Sequence, residues 1–272
     1  AEYIPGNYAE MGIAVEGISD AWPAAVSGHW PHSGKYEMAF DFNGQKSREL
    51  VMFNRGTVPY EFKAEVPNWI LLSHTAGTVK DELRIQVSID WKRLPAGESA
   101  GAISIRGTGW QGAKILVKAV KPDAKLQRSA RGFLEADGYI SLEAASFTRK
   151  HKVDGYEWQE IPQHGRTRSS IAPFPVTDHS FADPASAPFV EYPITFFNTG
   201  TLAVHTLLAP SWPFVPGRGL RYAIAVGDEP PQIVDFLAGT HDTDASWETS
   251  VETGGRIGIS QHRIEKPGPT RL

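Results

Sequence analysis

From Leu83 to Trp91 an apolar side chain falls on every second residue: Leu83, Ile85, Val87, Ile89 and Trp91 alternate with Arg84, Gln86, Ser88 and Asp90. A period of two over nine residues is the spacing of a β-strand with one dry face and one wet face. A helix would scatter the same side chains around its circumference. One such strand obliges the chain to supply neighbours, because its backbone groups need partners and its dry face needs cover. Gly101 to Arg106 repeats the alternation with Ile103 and Ile105, and KILVKA at 114–119 follows. Upstream, Met11 to Gly17, Glu49 to Phe53, Tyr60 to Lys63 and Trp69 to Leu72 read as shorter strands. About seven strands in one sheet would leave a greasy face in water, so two packed sheets are expected. The count and spacing suit an immunoglobulin-like sandwich without its Cys-Trp-Cys signature.

No amphipathic helix of 12 or more residues is visible anywhere. With 26 glycines and 20 prolines in 272 residues, the composition is that of many short strands joined by tight turns. The expected class is all-β, in two domains: residues 1–125 and residues 130–272. The polar run KPDAKLQRS at 121–129 is the linker. The absence of cysteine excludes disulfides and thiolate chemistry. A net charge of −4 with no Lys/Arg run argues against a nucleic-acid partner. No apolar run is long enough for a membrane-spanning helix, and the opening AEYIPGNYAE does not read as a signal peptide.

The second domain opens at Arg131 to Glu143, RGFLEADGYISLE, with a strand expected over 139–147. Tyr156 to Ile161 and Thr167 to Ile171 are short strands around Gly165. A loop at 172–188 carries Pro173, Pro175, Pro184 and Pro188. Strands follow at Phe189 to Phe197, Thr201 to Leu208, Arg218 to Val226, Gln232 to Leu237 and Gly254 to Arg263, with a helical turn near Asp242 to Trp247. A jelly-roll sandwich is the expected architecture.

Catalytic signatures do not assemble. There is no Gly-x-x-x-x-Gly-Lys-Ser/Thr loop and no Gly-x-Ser-x-Gly elbow. Glycoside hydrolysis needs two carboxylates roughly 5–9.5 Å apart. Asp137 and Glu143, six residues apart on one strand, would stand about 20 Å apart. Ser73-His74 is read as a turn with no triad behind it.

Several separated stretches nevertheless resemble one family. Gly132 to Ala144 (GFLEADGYISLEA), Trp158 to Thr167 (WQEIPQHGRT), Glu191-Tyr192 and Gly219 to Ala223 (GLRYA) resemble the C-terminal domain of glycoside hydrolase family 115, the xylan α-1,2-glucuronidases. Phe53-Asn54-Arg55-Gly56, Trp69-Ile70, Ser73 to Val79 (SHTAGTV) and Val87 to Trp91 (VSIDW) resemble the region just upstream. The resemblance runs in order over roughly residues 10 to 240. It implies an accessory region of an enzyme that removes glucuronic acid side groups from xylan, with the family's catalytic barrel outside these residues. It also implies a secreted or periplasmic protein, domains of carbohydrate-binding-module type, and a homodimer as one mode of association. In the binding modules that the second domain resembles, two acids flank an alanine and help hold calcium. Here Glu143-Ala144-Ala145 lacks the second acid. The family's domain usually continues beyond the point where this chain stops, so a domain truncated at its C-terminus, with an exposed sheet edge, is expected.

Two functions follow from that resemblance: binding of glucuronoxylan or xylooligosaccharides, and a structural or dimerisation role with no glycan affinity. Pyranose rings stack on aromatic faces, and a uronate carboxylate selects arginine or lysine. Trp158, Arg166, Arg168 and Trp212 are the candidate ligand-binding residues. Glu143, Asp242 and Asp244 are the candidates for a metal, calcium being the cation their oxygens would suit.

Overall fold

The computed structural model describes residues 6–23, 36–108, 112–215, 218–237 and 245–272. The fold is all-β. The chain divides into two compact units, Ala1–Ala124 and Lys125–Leu272.

The first unit holds strands β1 (Met11–Val15), β2 (Ala21–Trp22), β3 (Glu37–Asp41), β4 (Ser47–Asn54), β5 (Tyr60–Glu65), β6 (Ile70–Leu72), β7 (Ala76–Val79), β8 (Glu82–Ile89), β9 (Gly97–Arg106) and β10 (Ala113–Lys121). They form two five-stranded sheets, ordered β2-β1-β4-β8-β6 and β3-β10-β9-β5-β7. All pairings are antiparallel except β3 with β10, where Leu116 to Val120 run parallel to Glu37 to Asp41. The alternation foreseen over 83–91 is realised in β8: Ile85, Val87 and Ile89 are buried while Glu82, Arg84 and Gln86 face water. Both sheets contribute to one core. Met52, Ile85 and Val87 from one, with Ile103, Ile115 and Val117 from the other, are all within 1% of complete burial. Trp91 packs edge-on against Phe42 at 5.4 Å beside this core. Trp22 also packs against it, whereas Trp30 lies outside the described residues.

The second unit begins with a short helix, α1 (Ala124–Ser129), inside the stretch expected as linker. It continues with β11 (Phe133–Leu134), β12 (Arg149–His151), β13 (Glu157–Ile161), β14 (Ser170–Phe174), β15 (Phe189–Glu191), β16 (Pro193–Phe196), β17 (Gly200–Leu208), β18 (Arg221–Ile224) and β19 (Gln232–Asp235). A second helix, α2 (Ala245–Glu252), precedes β20 (Arg256–Ile264) and β21 (Gly268–Arg271). Its sheets are small: β11-β16-β21, and the pairs β12-β15, β13-β14, β17-β20 and β18-β19. Tyr192, Ile194, Phe196 and Val226 form its buried cluster, with Phe133, Ile140, Leu142 and Phe147 packed around them.

The strand expected over 139–147 is not formed. Asp137 and Gly138 both take positive φ, 51° and 82°, the conformation of a two-residue hairpin turn. The reversal closes at once with Ala136 and Tyr139 exchanging backbone hydrogen bonds. Ala144–Ser146 then coils into a 3-10 turn, and the Tyr192 hydroxyl donates to the Ala144 carbonyl at 2.5 Å. Ile140 and Leu142 still turn inward, so the alternation reports burial without a strand. Two side chains lock the start of this unit. Glu135, 8% exposed, accepts from the Phe197 and Asn198 amides at 2.6 and 2.9 Å and from Asn198 Nδ2 at 3.0 Å. Thr195, fully buried, accepts from the Arg131 amide at 2.9 Å and donates to the Arg131 carbonyl at 2.7 Å. That clamp draws Gly132 so close that a Cβ there would meet the Pro193 carbonyl oxygen at 1.8 Å, at a φ of +69°.

Candidate functional site

The hairpin of β13 and β14 carries most of the residues singled out from the sequence. Its register pairs Glu157 with Phe174 and ends at Ile161 with Ser170. Arg166 and Arg168 are exposed in the turn beyond that last pair. The turn is tethered: the Gly165 amide donates to the Arg168 carbonyl at 3.2 Å, and the Thr167 hydroxyl donates to the Glu143 carboxylate. Trp158 stands opposite Pro173, towards the other end of the hairpin. It is half-buried, and its indole N–H donates to the Pro188 carbonyl at 2.9 Å. Trp212 packs edge-on against Trp247 of α2, with ring centroids 5.3 Å apart. Among the described residues, no hydrogen bond, ion pair or ring contact joins Trp158 or Trp212 to either arginine.

A different group gathers at the open end of the hairpin. Tyr156 stacks on His179 at 5.2 Å and 25°, and the Phe181 ring stands edge-on to both, at 5.6 and 4.7 Å. The Tyr156 hydroxyl is 2.9 Å from Thr177 Oγ1. Two guanidinium groups close on the same loop. Arg218 Nη2 donates to the Asp178 carbonyl at 2.7 Å, and Arg221 Nη2 donates to Ser180 Oγ at 3.2 Å. His179 and Arg221 are exposed, and Tyr156, Phe181 and Arg218 are half-buried. Next to Tyr156, a hydrogen bond from Lys150 holds the Glu157 carboxyl below its usual range. The sequence carried one sign of this cluster: His179 and Phe181 flank a serine in a proline-rich loop, immediately after a strand. Nothing local showed that Arg218 and Arg221, some 40 residues on, return to that loop.

Of the metal candidates, Glu143 is bonded by the Thr167 hydroxyl, and Asp242 and Asp244 lie outside the described residues. Among the described residues no three His, Cys, Asp or Glu side chains gather as a metal would require. One constellation has the order of a catalytic triad. Ser260 Oγ is 2.8 Å from His262 Nε2, and His262 Nδ1 is 3.2 Å from Glu229 Oε2. Ser260 and His262 are only 5% and 4% exposed, on the inner face of β20. A triad nucleophile must reach a scissile bond beside an oxyanion site, and this serine is covered. The three groups satisfy one another's polar atoms under the sheet. Ser73 Oγ and His74 Nδ1 are 3.0 Å apart, and the same hydroxyl accepts from the Gln86 amide, which makes them a turn linked to β8.

Residues 132–272, the whole of the second unit from Gly132 onward, match the glycosyl hydrolase family 115 C-terminal domain. The chain belongs to glycosyl hydrolase family 115. Membership ties this 272-residue chain to an accessory part of a glycoside hydrolase, and it agrees with the resemblance carried by GFLEADGYISLEA and WQEIPQHGRT. No curated protein matches the chain. Solved structures similar to this family 115 chain include the periplasmic chaperone SfaE, at 11% identity and a TM-score of 0.29, covering 35% of this chain and 61% of that one. A Bacteroides ovatus GH5 xyloglucanase in complex with a XXXG heptasaccharide is similar at 17% identity and a TM-score of 0.27, over 43% of this chain and 22% of that one. The E. coli chaperone DraB is similar at 11% identity and a TM-score of 0.28, over 60% and 87%. The chain thus spans about three-fifths of the first of these structures and about a fifth of the second.

Proposed function

We propose that this chain is the non-catalytic accessory region of a secreted or periplasmic xylan α-glucuronidase, and that its second unit binds glucuronoxylan through the loop that follows β14. One observation carries this reading: His179 and Phe181 lie on the loop to which Arg218 and Arg221 donate, and Tyr156, just before β13, packs its ring against both. A xylan backbone offers pyranose C–H faces, which suit aromatic rings, and its glucuronic acid branches offer a carboxylate, which suits a guanidinium. Arg166 and Arg168, at the far end of the same hairpin, are the second place where the uronate could be met. Trp158 and Trp212 serve as packing anchors in this reading. The polymer is met outside the cell, which is why a secreted or periplasmic location belongs to the proposal.

Calorimetric titration with aldouronic xylooligosaccharides, against undecorated xylooligosaccharides, tests it. Saturable binding of the decorated ligand is expected, weakened at least about tenfold in Arg221→Ala and Phe181→Ala. Arg166→Ala with Arg168→Ala reports on the tip separately. Titrations with added calcium and with chelator show whether an ion contributes. No heat from either ligand at millimolar concentration would overturn glycan binding.

A second reading, a structural module through which copies associate, is favoured by β20. This strand hides Gly258, Ser260 and His262 and shows Ile257 and Ile259, 61% and 50% exposed, to solvent. Exposed apolar side chains over a polar inner face are what supports association in this reading.

A further inference from the structure

A second pair of stacked rings lies near the Tyr156 cluster. His151 of β12 and Phe189 of β15 are register partners, and their rings stack at 5.0 Å with 26° between the planes. His151 is exposed and Phe189 is half-buried. The turn at Asp154-Gly155, closed by the Val153–Tyr156 bridge, folds the chain after β12 back into β13. Residues opposite each other in a hairpin share a face, and the face alternates along each arm. Val153 and Tyr156 therefore share one side with His151 and Trp158, two residues further along each arm. Lys150 and Glu157 meet on the other side at 2.9 Å, as this parity requires.

Trp158 links the two ring groups. It follows Tyr156 by two residues on the same side, and its indole N–H is bonded to the carbonyl of Pro188, the neighbour of Phe189. The two ends of this row differ in charge. At one end Arg218 and Arg221 reach the loop that carries His179 and Phe181. At the other end the cations are engaged by carboxylates: Arg149 by Glu191, Lys150 by Glu157, with Lys152 also acting on Glu157.

We infer that His151 and Phe189 form a second subsite, for uncharged backbone xyloses. The glucuronic acid branch then sits at the arginines, and the xylan backbone lies across Trp158 to Phe189. This rests on the glycan reading above and deepens it: the second unit recognises a run of the polymer chain and reads its length as well as its charge. Pyranose C–H faces suit the exposed imidazole and the phenyl ring beneath it. Once the branch is held, contact at the second subsite is intramolecular, so a ligand long enough to reach both binds more tightly than either contact alone provides.

Calorimetric titration of the 272-residue chain with two aldouronic acids tests the inference. Both carry one glucuronic acid branch, one on a xylobiose backbone and the other on xylopentaose. The longer ligand should bind at least about tenfold more tightly. Phe189→Ala should remove that gain and leave the affinity for the shorter ligand within about twofold, which also shows that the variant is folded. Should Phe189→Ala fail to fold, His151→Ala, which strips an exposed ring from the platform, should cut the gain at least about threefold. Equal affinity for the two ligands in the wild-type chain, or a gain that survives in His151→Ala and Phe189→Ala, overturns the inference and leaves the uronate site standing. Absence of binding by either ligand overturns the uronate site, and this inference with it.

Discussion

Burial at single residues decides how this chain responds to alkali. The phenols of Tyr60 and Tyr192 are 5% and 8% exposed, and burial pushes both up from 10.0 to about 12. Folding therefore favours the neutral phenol. The stability it contributes is present in full below about pH 10, where the unfolded phenol begins to ionise, and is lost as the pH rises through about 12. Tyr192→Phe removes the titrating group from the second unit together with its hydrogen bond to Ala144. At pH 7 this variant should be less stable by about 1 kcal/mol, the net worth of one hydrogen bond. Denaturant unfolding at pH 8, 10 and 11.5 should show the wild-type advantage shrinking with pH. A constant gap would mean that the Tyr192 hydroxyl ionises as readily in the fold as in the unfolded chain, and a growing one that the fold favours the phenolate. None of this was legible from the Glu191-Tyr192 dipeptide, because the burial comes from Ile194, Phe196 and Val226 and from a segment near residue 144.

Strands were legible where the alternation is long and both sheets cover it. In β10, Ile115 and Val117 are within 1% of full burial, while Leu116 between them is 38% exposed. Ile115→Ala should cost about 2–5 kcal/mol through the cavity it leaves. Leu116→Ala, on the wet face, should cost less than about 1 kcal/mol. Melting of the two variants measures the difference directly; equal losses would mean that the register of β10 is shifted. The same rule misleads at two places in the second unit. Over 139–147, alternation reports Ile140 and Leu142 reaching the core from an irregular segment. In β20 the strand is real, but the residues turned inward are Gly258, Ser260 and His262, because Tyr222, Gln232 and Glu229 meet them there. Sequence period finds a strand but not which face is covered; that is set by elements distant in the chain. The candidate site shows the same limit. Arg166 and Arg168 fall together because a short turn holds them, whereas the Tyr156, His179 and Phe181 cluster gains its arginines only through tertiary folding.

At the scale of the molecule, the two units are built on unequal cores. Twenty-three buried side chains form the cluster of the first unit and four that of the second, among the described residues. Each fully buried aliphatic or aromatic side chain stabilises by about 1.5–3 kcal/mol, so the second unit is expected to melt first. A ligand that binds only the folded second unit stabilises it by RT ln(1 + [L]/Kd), about 2.7 kcal/mol at a hundredfold excess over Kd. For a unit of this size that is a rise of roughly 5–10 °C in its midpoint. Scanning calorimetry with aldouronic xylooligosaccharide should therefore move the lower transition and leave the upper one in place. Phe181→Ala, with affinity lowered at least about tenfold, should cut the shift to about half or less at the same ligand concentration. Movement of the upper transition alone would place the glycan on the first unit, away from the ring and arginine cluster. A shift that survives in Phe181→Ala and Arg221→Ala but is lost when Arg166 and Arg168 are both replaced would move the binding site to the hairpin tip. The ligand would then be recognised chiefly by its charge, and undecorated xylooligosaccharide would produce no shift at any concentration.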